Sequence, residues 1–233
     1  MNTVITGASR GIGKAVAEVF AANGHDLYLI SRSDIALYKA MGDLQKKYPD
    51  VNIKAKAFDL SKSVEAKKAG NWMVDAGVVP DIVVNNAGLF EPGSVFSEPE
   101  GLLERQIATN LYSAYHFTRT VLPKMILRRT GHIFNMCSIA SLHAYHNGGA
   151  YSISKYALHG FSKNLREEMK PYNIKVTAIH PGAVLTDSWG NYDNSEKRIM
   201  EAGDIAKMIY ACSQLSFAAC VEDIVIRPQL GDL

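Results

Sequence analysis

The sequence has few cysteines, no long apolar run and no excess of either charge. Its three cysteines, Cys137, Cys212 and Cys220, have no metal-ligand spacing, which excludes a disulfide-stapled scaffold and predicts reduced thiols in the cytoplasm. The apolar stretches are shorter than the roughly 18 residues that a membrane span needs. Residues 2–6 already have the pattern of a strand, so we expect neither a signal peptide nor membrane association.

The charge balance excludes further classes of protein. The chain has 25 Lys and Arg residues and 23 Asp and Glu residues, and no five like charges follow one another. Proteins that bind nucleic acid usually carry a basic patch, so we expect a small-molecule partner and no nucleic acid. The seven histidines have no metal-ligand spacing either, and we therefore expect no metal site.

Short apolar runs alternate with amphipathic segments along the chain, without a linker or a repeat. The strands predicted from these runs cover residues 3–6, 27–30, 51–57, 81–85, 132–137, 174–179 and 223–227. Helical patterns include residues 34–48, 100–128, 150–170 and 203–215. This alternation predicts one α/β domain over residues 1–233, with a parallel sheet covered on both faces and ligands bound beyond the carboxyl ends of the strands.

A glycine-rich turn joins the first strand to the first helix, with the sequence Thr6-Gly7-Ala8-Ser9-Arg10-Gly11-Ile12-Gly13. Glycines in such a turn allow a tight bend, a close approach of the backbone to a pyrophosphate and close packing of the helix on the sheet. Backbone N–H groups at the helix N-terminus then face the phosphates. Loops of similar composition are common, but the position between a strand and an amphipathic helix predicts a dinucleotide site.

The end of the second strand bears on the type of dinucleotide. It reads Ser31-Arg32-Ser33. An acidic residue at this place selects the free 2′-hydroxyl of the adenosine ribose, whereas an arginine accommodates a 2′-phosphate. Arg10 and Arg32 therefore predict a two-sided clamp on that phosphate, and NADP(H) as the preferred cofactor. Asp34 keeps NAD(H) possible, and both arginines could instead be solvated surface charges.

A third group of residues follows the fifth strand. Tyr151 and Lys155 are four residues apart, which puts them on one face of a helix, and a cation beside a phenol favours the phenolate. Ser138, just beyond the strand, can donate a hydrogen bond to a substrate oxygen. Each residue alone has an ordinary structural explanation, and only their joint placement after a dinucleotide turn favours chemistry.

Together these motifs resemble the short-chain dehydrogenase/reductase family in its compact single-domain form, over nearly the whole chain. The resemblance rests on the glycine turn together with Asp59-Leu60, Asn85-Asn86-Ala87-Gly88, Pro181-Gly182 and the set Asn110, Ser138, Tyr151 and Lys155. It implies a Rossmann fold, a doubly wound sheet of about seven strands in the order 3-2-1-4-5-6-7. It also implies hydride transfer without a metal, between a nicotinamide cofactor and a small carbonyl or alcohol.

The resemblance implies a role for each matched residue. Tyr151 would be the general acid and base, Ser138 would polarise the carbonyl, and Lys155 would bind the nicotinamide ribose and lower the pKa of Tyr151. Asn110, at a local break in its helix, would hold a water for proton resupply. The residues implied to bind the cofactor are Gly7, Ser9, Arg10, Gly11, Ile12, Gly13, Arg32, Asp59, Leu60, Asn86, Ala87, Gly88, Tyr151, Lys155, Pro181, Gly182, Val184 and Thr186.

Substrate choice is expected to depend on a short loop at about residues 183–202 and on the segment before Tyr151. The candidate substrate contacts are Ser138, His143, Tyr145, Tyr151 and Trp189. Members similar to sepiapterin reductase and to 3-oxoacyl-carrier-protein reductase are both candidates, and a protein of the same fold that binds NADP(H) as a sensor or scaffold without turnover is the rival.

The resemblance also implies a homodimer or homotetramer, through the predicted helices at residues 100–128 and 150–170. The apolar side chains that are candidates for that surface are Val121, Leu122, Met125, Leu158, Phe161 and Leu165, and the alternative is that all of them face the protein's own sheet.

Overall fold

The structure, a computed structural model, describes residues 1–231. Strands β1 to β9 span Asn2–Thr6, Asp26–Ser31, Ile53–Ala57, Ile82–Asn85, Gly131–Met136, Ile174–Pro181, Val184–Leu185, Met200–Glu201 and Asp223–Ile226. Helices α1 to α7 span Gly11–Ala22, Asp34–Lys47, Ser63–Asp75, Leu102–Ile107, Ser113–Arg128, Gly149–Met169 and Ala202–Ser213. In these residues, the helices are too short or too polar to cross a membrane.

The main sheet has seven strands in the order β3-β2-β1-β4-β5-β6-β9. Each neighbouring pair is parallel, from β2 against β3 at one edge to β6 against β9 at the other. This confirms the predicted fold and strand order, because β9 is the seventh strand of this sheet. The order reverses between β1 and β4, and ligands of such sheets bind in the crevice at that point.

Two apolar cores cover the sheet, one on each face. Successive residues of β1 enter different cores, since Val4 packs with helices α3 and α5 whereas Ile5 packs with α1 and α7. Strands buried on both faces have continuous apolar runs rather than alternating ones. This burial explains why runs such as Leu27-Tyr28-Leu29-Ile30 are apolar at every position.

These cores decide between the two placements that the sequence left open for the candidate interface residues. Val121, Met125, Leu158 and Leu165 are buried, and Leu122 and Phe161 are partly buried against the same cores. Their helical spacing therefore reflects packing onto the chain's own sheet and not a surface for a partner copy.

Two local features refine the prediction. The helical region predicted at residues 100–128 contains the local break that the resemblance implies at Asn110, because a π-helical segment, Ala108–Tyr112, separates α4 from α5. In addition, the short strands β7 and β8 pair Val184 with Met200 and Leu185 with Glu201. This pairing closes the loop at residues 183–202 at its base.

Candidate functional site

The glycine turn and the segment after β4 are joined directly. The Thr6 hydroxyl accepts hydrogen bonds of 3.0 Å from the backbone N–H groups of Asn86 and Ala87. The Asn86 amide in turn donates to the carbonyls of Thr6, at 3.1 Å, and Gly7, at 3.2 Å. These contacts fix the backbone on both sides of the crevice where the strand order reverses.

Two of the glycines are required by this arrangement. Gly7 has a φ of +66°, a conformation that side-chain-bearing residues rarely adopt. A Cβ at Gly13 would lie 2.3 Å from the Gly7 carbonyl oxygen and 2.5 Å from Asn86 Nδ2. The bare backbone therefore lets α1 approach the turn, with Ile12 partly buried against the core beside it.

The residues that precede the two arginines of the predicted clamp are in contact. Ser9 and Ser31 are hydrogen-bonded at 2.9 Å, which joins the glycine turn to the end of β2. Both arginines are exposed. Arg10 also faces Asp187 of the loop at 3.4 Å, an exposed ion pair that contributes little to stability.

Asp59 and Leu60 follow β3 next to this place. Leu60 is buried, and Asp59 Oδ1 accepts hydrogen bonds from the backbone N–H, at 3.2 Å, and the hydroxyl, at 2.7 Å, of Ser61. The Asp59 carboxylate is thereby held in a turn at the carboxyl edge of the sheet.

Asn110 lies in the π-helical segment and is buried. Its amide donates to the Leu89 carbonyl at 3.0 Å and to the Ser154 hydroxyl at 2.8 Å, and its oxygen accepts from the Leu89 N–H at 2.7 Å. The side chain thus ties α6 to the segment after β4. π-helical insertions of this kind are frequent at functional sites.

Lys155 is buried, and its ammonium donates to the Met136 carbonyl at 2.7 Å. Burial lowers the pKa of Lys155 to about 8. A Cβ on Gly88 would lie 3.2 Å from Asn110 Oδ1 and 3.6 Å from Lys155 Nζ, so this glycine keeps the space beside both groups open.

Tyr151 lies one helical turn before Lys155, with the ammonium 5.7 Å from the centre of its ring. Burial raises the pKa of Tyr151 to about 12, and a hydrogen bond with the Ser138 side chain opposes this to a smaller degree. This direction is opposite to the one expected from the spacing of Tyr151 and Lys155. The Lys155 ammonium is directed at a carbonyl, and burial has the larger effect on the phenol.

Ser138 begins the turn that follows β5. Its hydroxyl oxygen accepts a hydrogen bond of 3.1 Å from the Ala140 N–H, and its own N–H donates to Ser141 Oγ at 3.2 Å. These bonds hold the Ser138 side chain beside Tyr151 and leave its hydroxyl hydrogen available to donate.

The loop after β6 returns to the glycine turn. The Gly182 N–H, following Pro181, donates to the Ile226 carbonyl at 2.7 Å. A Cβ on Gly11 would lie 3.2 Å from Thr186 Cγ2, so Thr186 covers the turn. Val184, two residues before, is held in the short ladder with β8.

The candidate substrate residues are only partly brought together. Tyr145 is close enough to Tyr151 to raise its pKa. In the loop at residues 183–202, the ring centres of Trp189 and Tyr192 lie 5.2 Å apart. His143 is exposed, and its backbone N–H donates to the Ile139 carbonyl in the turn that follows Ser138, at 3.1 Å. Tyr145 also borders an open groove of about 390 Å³, lined by Val95, Ala144, Tyr145, Gly149, Ser152, Ile153 and Tyr156.

Sequence reasoning missed several residues of this site. Phe90 packs its edge against the Tyr151 ring, with centroids 4.8 Å apart, and Ser154 partners Asn110. Leu89 and Met136 contribute backbone atoms only. A backbone contact leaves no mark on residue type, and a single Phe or Ser has too many structural uses to be singled out.

Comparison with known families matches residues 1–197 to the short chain dehydrogenase model. The chain belongs to this family. Its members are oxidoreductases that act on CH–OH and carbonyl groups. One similar relative is the sepiapterin reductase of Chlorobaculum tepidum, which is 29% identical over 238 residues, covering 99% of this chain and 97% of that protein.

Two solved structures share both the fold and some sequence. The alcohol dehydrogenase of Thermococcus sibiricus, complexed with 5-hydroxy-NADP, has a TM-score of 0.90 and 25% identity, covering 98% of this chain and 96% of that one. A metagenomic short-chain oxidoreductase in complex with NADP has a TM-score of 0.85 and 27% identity, covering 98% and 97%. Both similarities extend over the whole domain.

Proposed function

We propose that this short-chain dehydrogenase reduces a ketone or aldehyde carbonyl of a small molecule to an alcohol with NADPH, or catalyses the reverse reaction. The observation that carries the proposal is the arrangement of Ser138, Tyr151 and Lys155. Two hydroxyl groups face each other, and a buried ammonium lies one helical turn away. A protein that only senses NADP(H) has no need of this pair of hydroxyl donors, which favours the enzyme over the rival.

The residues fit a dinucleotide. The glycine turn leaves its backbone open to the cofactor pyrophosphate at positions where side chains would block it. Arg10 and Arg32 would flank the 2′-phosphate of the adenosine ribose. The two solved relatives were bound to NADP or its 5-hydroxy form, which favours NADP(H) here, with NAD(H) as a second option. When bound, the cofactor supplies the hydride in reduction and receives it in oxidation.

We assign the remaining contacts to the residues matched by motif. Asp59 would accept from the adenine amino group, next to the Leu60 backbone, and Val184 and Thr186 would hold the carboxamide. Lys155 gives one of its three donors to Met136, which leaves two for the nicotinamide ribose.

Tyr151 and Ser138 would act together on the substrate oxygen. In reduction, negative charge grows on this oxygen, so donors already in place bind the transition state better than the ketone. Ser138 donates a hydrogen bond, and Tyr151 transfers its proton. A phenol with a raised pKa stays protonated at neutral pH, which suits a proton donor in reduction.

Tyr151 would regain its proton from solvent through Lys155 and a water held at the π-helical segment. A lysine with a pKa near 8 can release and regain a proton close to neutral pH. Because both polar atoms of the Asn110 side chain are bonded to Leu89 and Ser154, we assign the water contact to the Asn110 main-chain carbonyl.

The pH dependence separates the two directions. Alcohol oxidation needs the deprotonated Tyr151, so its rate is expected to rise by up to about tenfold per pH unit between about pH 6 and pH 9, below the raised pKa. Carbonyl reduction needs the protonated form and should change little over the same interval. Initial rates at saturating cofactor measure both, and an oxidation rate that is flat in pH would contradict Tyr151 as the base.

Aromatic rings surround the proposed substrate position, with Phe90 against Tyr151 and Tyr145 nearby. This favours planar or aromatic carbonyl compounds, and the sepiapterin reductase relative fits that class. The test is turnover of NADPH and NADH with diketones, aromatic aldehydes, pterins and acyl thioesters. We expect NADPH oxidation with at least one planar carbonyl class. Tight NADPH binding without turnover of any class would favour the sensor.

Assembly into a homodimer or homotetramer remains part of the proposal. It rests on the family and on exposed apolar side chains of α6, Ile153 and Tyr156, instead of the buried set named from the sequence.

A further inference from the structure

Two imidazoles and a carboxylate meet next to the Ser138 turn and take no part in the chemistry proposed above. His159 lies on α6, His180 lies near the end of β6, and Asp223 begins β9. Their ligand atoms all lie within 4.8 Å of one another. Among residues 1–231, this is the one group of three His, Cys, Asp or Glu side chains with ligand atoms so close together.

Two of the three distances within this group are close to those of a metal centre. His159 Nε2 and His180 Nε2 each lie 3.0 Å from Asp223 Oδ1, and the two imidazole rings meet edge to face at 4.6 Å. Tetrahedral Zn²⁺ binds nitrogen and oxygen ligands at about 2.0–2.1 Å, which places neighbouring ligand atoms roughly 3.3 Å apart. The two nitrogen–oxygen distances of 3.0 Å are close to this value, and the two histidine nitrogens lie within 4.8 Å of each other.

The hydrogen bonds on the other side of His180 determine which ring nitrogen carries the proton. His180 Nδ1 lies 3.2 Å from the Ser138 carbonyl and 2.9 Å from Ser141 Oγ. The Ser141 hydroxyl donates its own hydrogen to the Ser138 carbonyl, so toward His180 its oxygen can only accept. Nδ1 of His180 is therefore the donor.

The neutral His180 ring then directs the Nε2 lone pair at a carboxylate oxygen. A proton on Nε2 or a bound metal ion would bridge these two acceptors. Donation from the second ring nitrogen to a backbone carbonyl is also the arrangement typical of metal-bound histidines.

An ion can reach the cluster from solvent. His180 is fully buried, but the side chains of His159 and Asp223 are 17% and 31% exposed. The Lys163 ammonium contacts the other oxygen of Asp223, and its charge opposes a bound cation. Lys163 is thus a competitor for the same carboxylate.

We propose that His159, His180 and Asp223 form a binding site for a divalent transition metal ion of the zinc class, with water as the fourth ligand. The site joins α6, β6 and β9 and reaches the Ser138 turn through His180. It replaces the expectation of no metal site, which rested on the wide separation of these residues in the sequence.

The test uses the full chain after treatment with a chelator. Zn²⁺ affinity is measured by competition with a chromophoric chelator, and the visible absorption of bound Co²⁺ reports its geometry. We expect one ion per chain and the intense bands of tetrahedral Co²⁺. His159→Gln and Asp223→Asn should each weaken Zn²⁺ binding by at least about 100-fold. Lys163→Met should tighten it by about tenfold, since the competing charge is removed.

The control is His146→Gln, which removes an exposed histidine outside the cluster and should leave the affinity unchanged. Circular dichroism establishes that each variant is folded. The proposal is overturned if the chain binds no ion in a one-to-one ratio, or if folded His159→Gln and Asp223→Asn bind as tightly as the parent. A Co²⁺ spectrum with thiolate bands that vanish in Cys220→Ser would also overturn it, because the ion would then be bound by cysteine.

Discussion

Replacing Tyr151 with phenylalanine is expected to lower turnover by about 10³-fold, within the range that loss of a general acid usually costs. The substitution removes one hydroxyl and keeps the ring, so the contact with Phe90 and the packing of α6 should remain. NADPH binding, followed by the change in its fluorescence, should stay within a few-fold of the parent. Steady-state rates with the best substrate of the panel measure the loss.

The matched control is Tyr210→Phe. Tyr210 is also half-buried, but it lies on α7 against Phe20 and His25, away from the site. The activity of the Tyr210→Phe variant should equal that of the parent. A Tyr151→Phe enzyme that retains more than about a tenth of the parent activity would exclude Tyr151 as the proton donor. Loss of NADPH binding together with activity would point to a structural role instead.

The second large effect is expected at Arg32. Arg32→Asp should lower kcat/KM with NADPH relative to NADH by about 10- to 100-fold, the equivalent of one lost charge-assisted hydrogen bond. Arg32 is exposed just after β2, and a carboxylate there would repel a 2′-phosphate and accept from a 2′-hydroxyl. The ratio of kcat/KM for the two cofactors measures the effect.

Lys39→Asp makes the same change of charge on the exposed surface of α2 and serves as the control. It should shift the ratio only slightly, since its field is screened by salt. If Arg32→Asp and Lys39→Asp have equal effects, the preference arises from the overall field and Arg32 does not contact the phosphate.

Much of the fold follows from local sequence pattern. Runs that are apolar at every position, such as Leu27-Tyr28-Leu29-Ile30, predicted strands covered on both faces, and the glycine turn marked the place where β1 meets α1. The four-residue spacing of Tyr151 and Lys155 likewise placed both on one face of α6. These signals are readable because strand and helix periodicity depends on near neighbours in the chain.

Other features depended on contacts between distant segments. The helix predicted over residues 100–128 is broken at Ala108–Tyr112, where the Asn110 side chain bonds to Leu89 and Ser154. The β7 and β8 ladder consists of two residue pairs, too few to leave a period in the sequence. The helical apolar residues assigned to an interface face the sheet, because periodicity shows that a helix has an apolar face but not what covers it.

By itself, the sequence determined the layered α/β fold and, through its motifs, the strand order, and it predicted which residues line the crevice. Only the tertiary structure decided the electrostatics of these residues, because burial lowers the pKa of Lys155 and raises that of Tyr151, against the direction expected from their spacing. It also brought His159, His180 and Asp223 together. Burial of a titratable group and the meeting of distant side chains are properties of the packed molecule, since both depend on groups that are far apart in the chain.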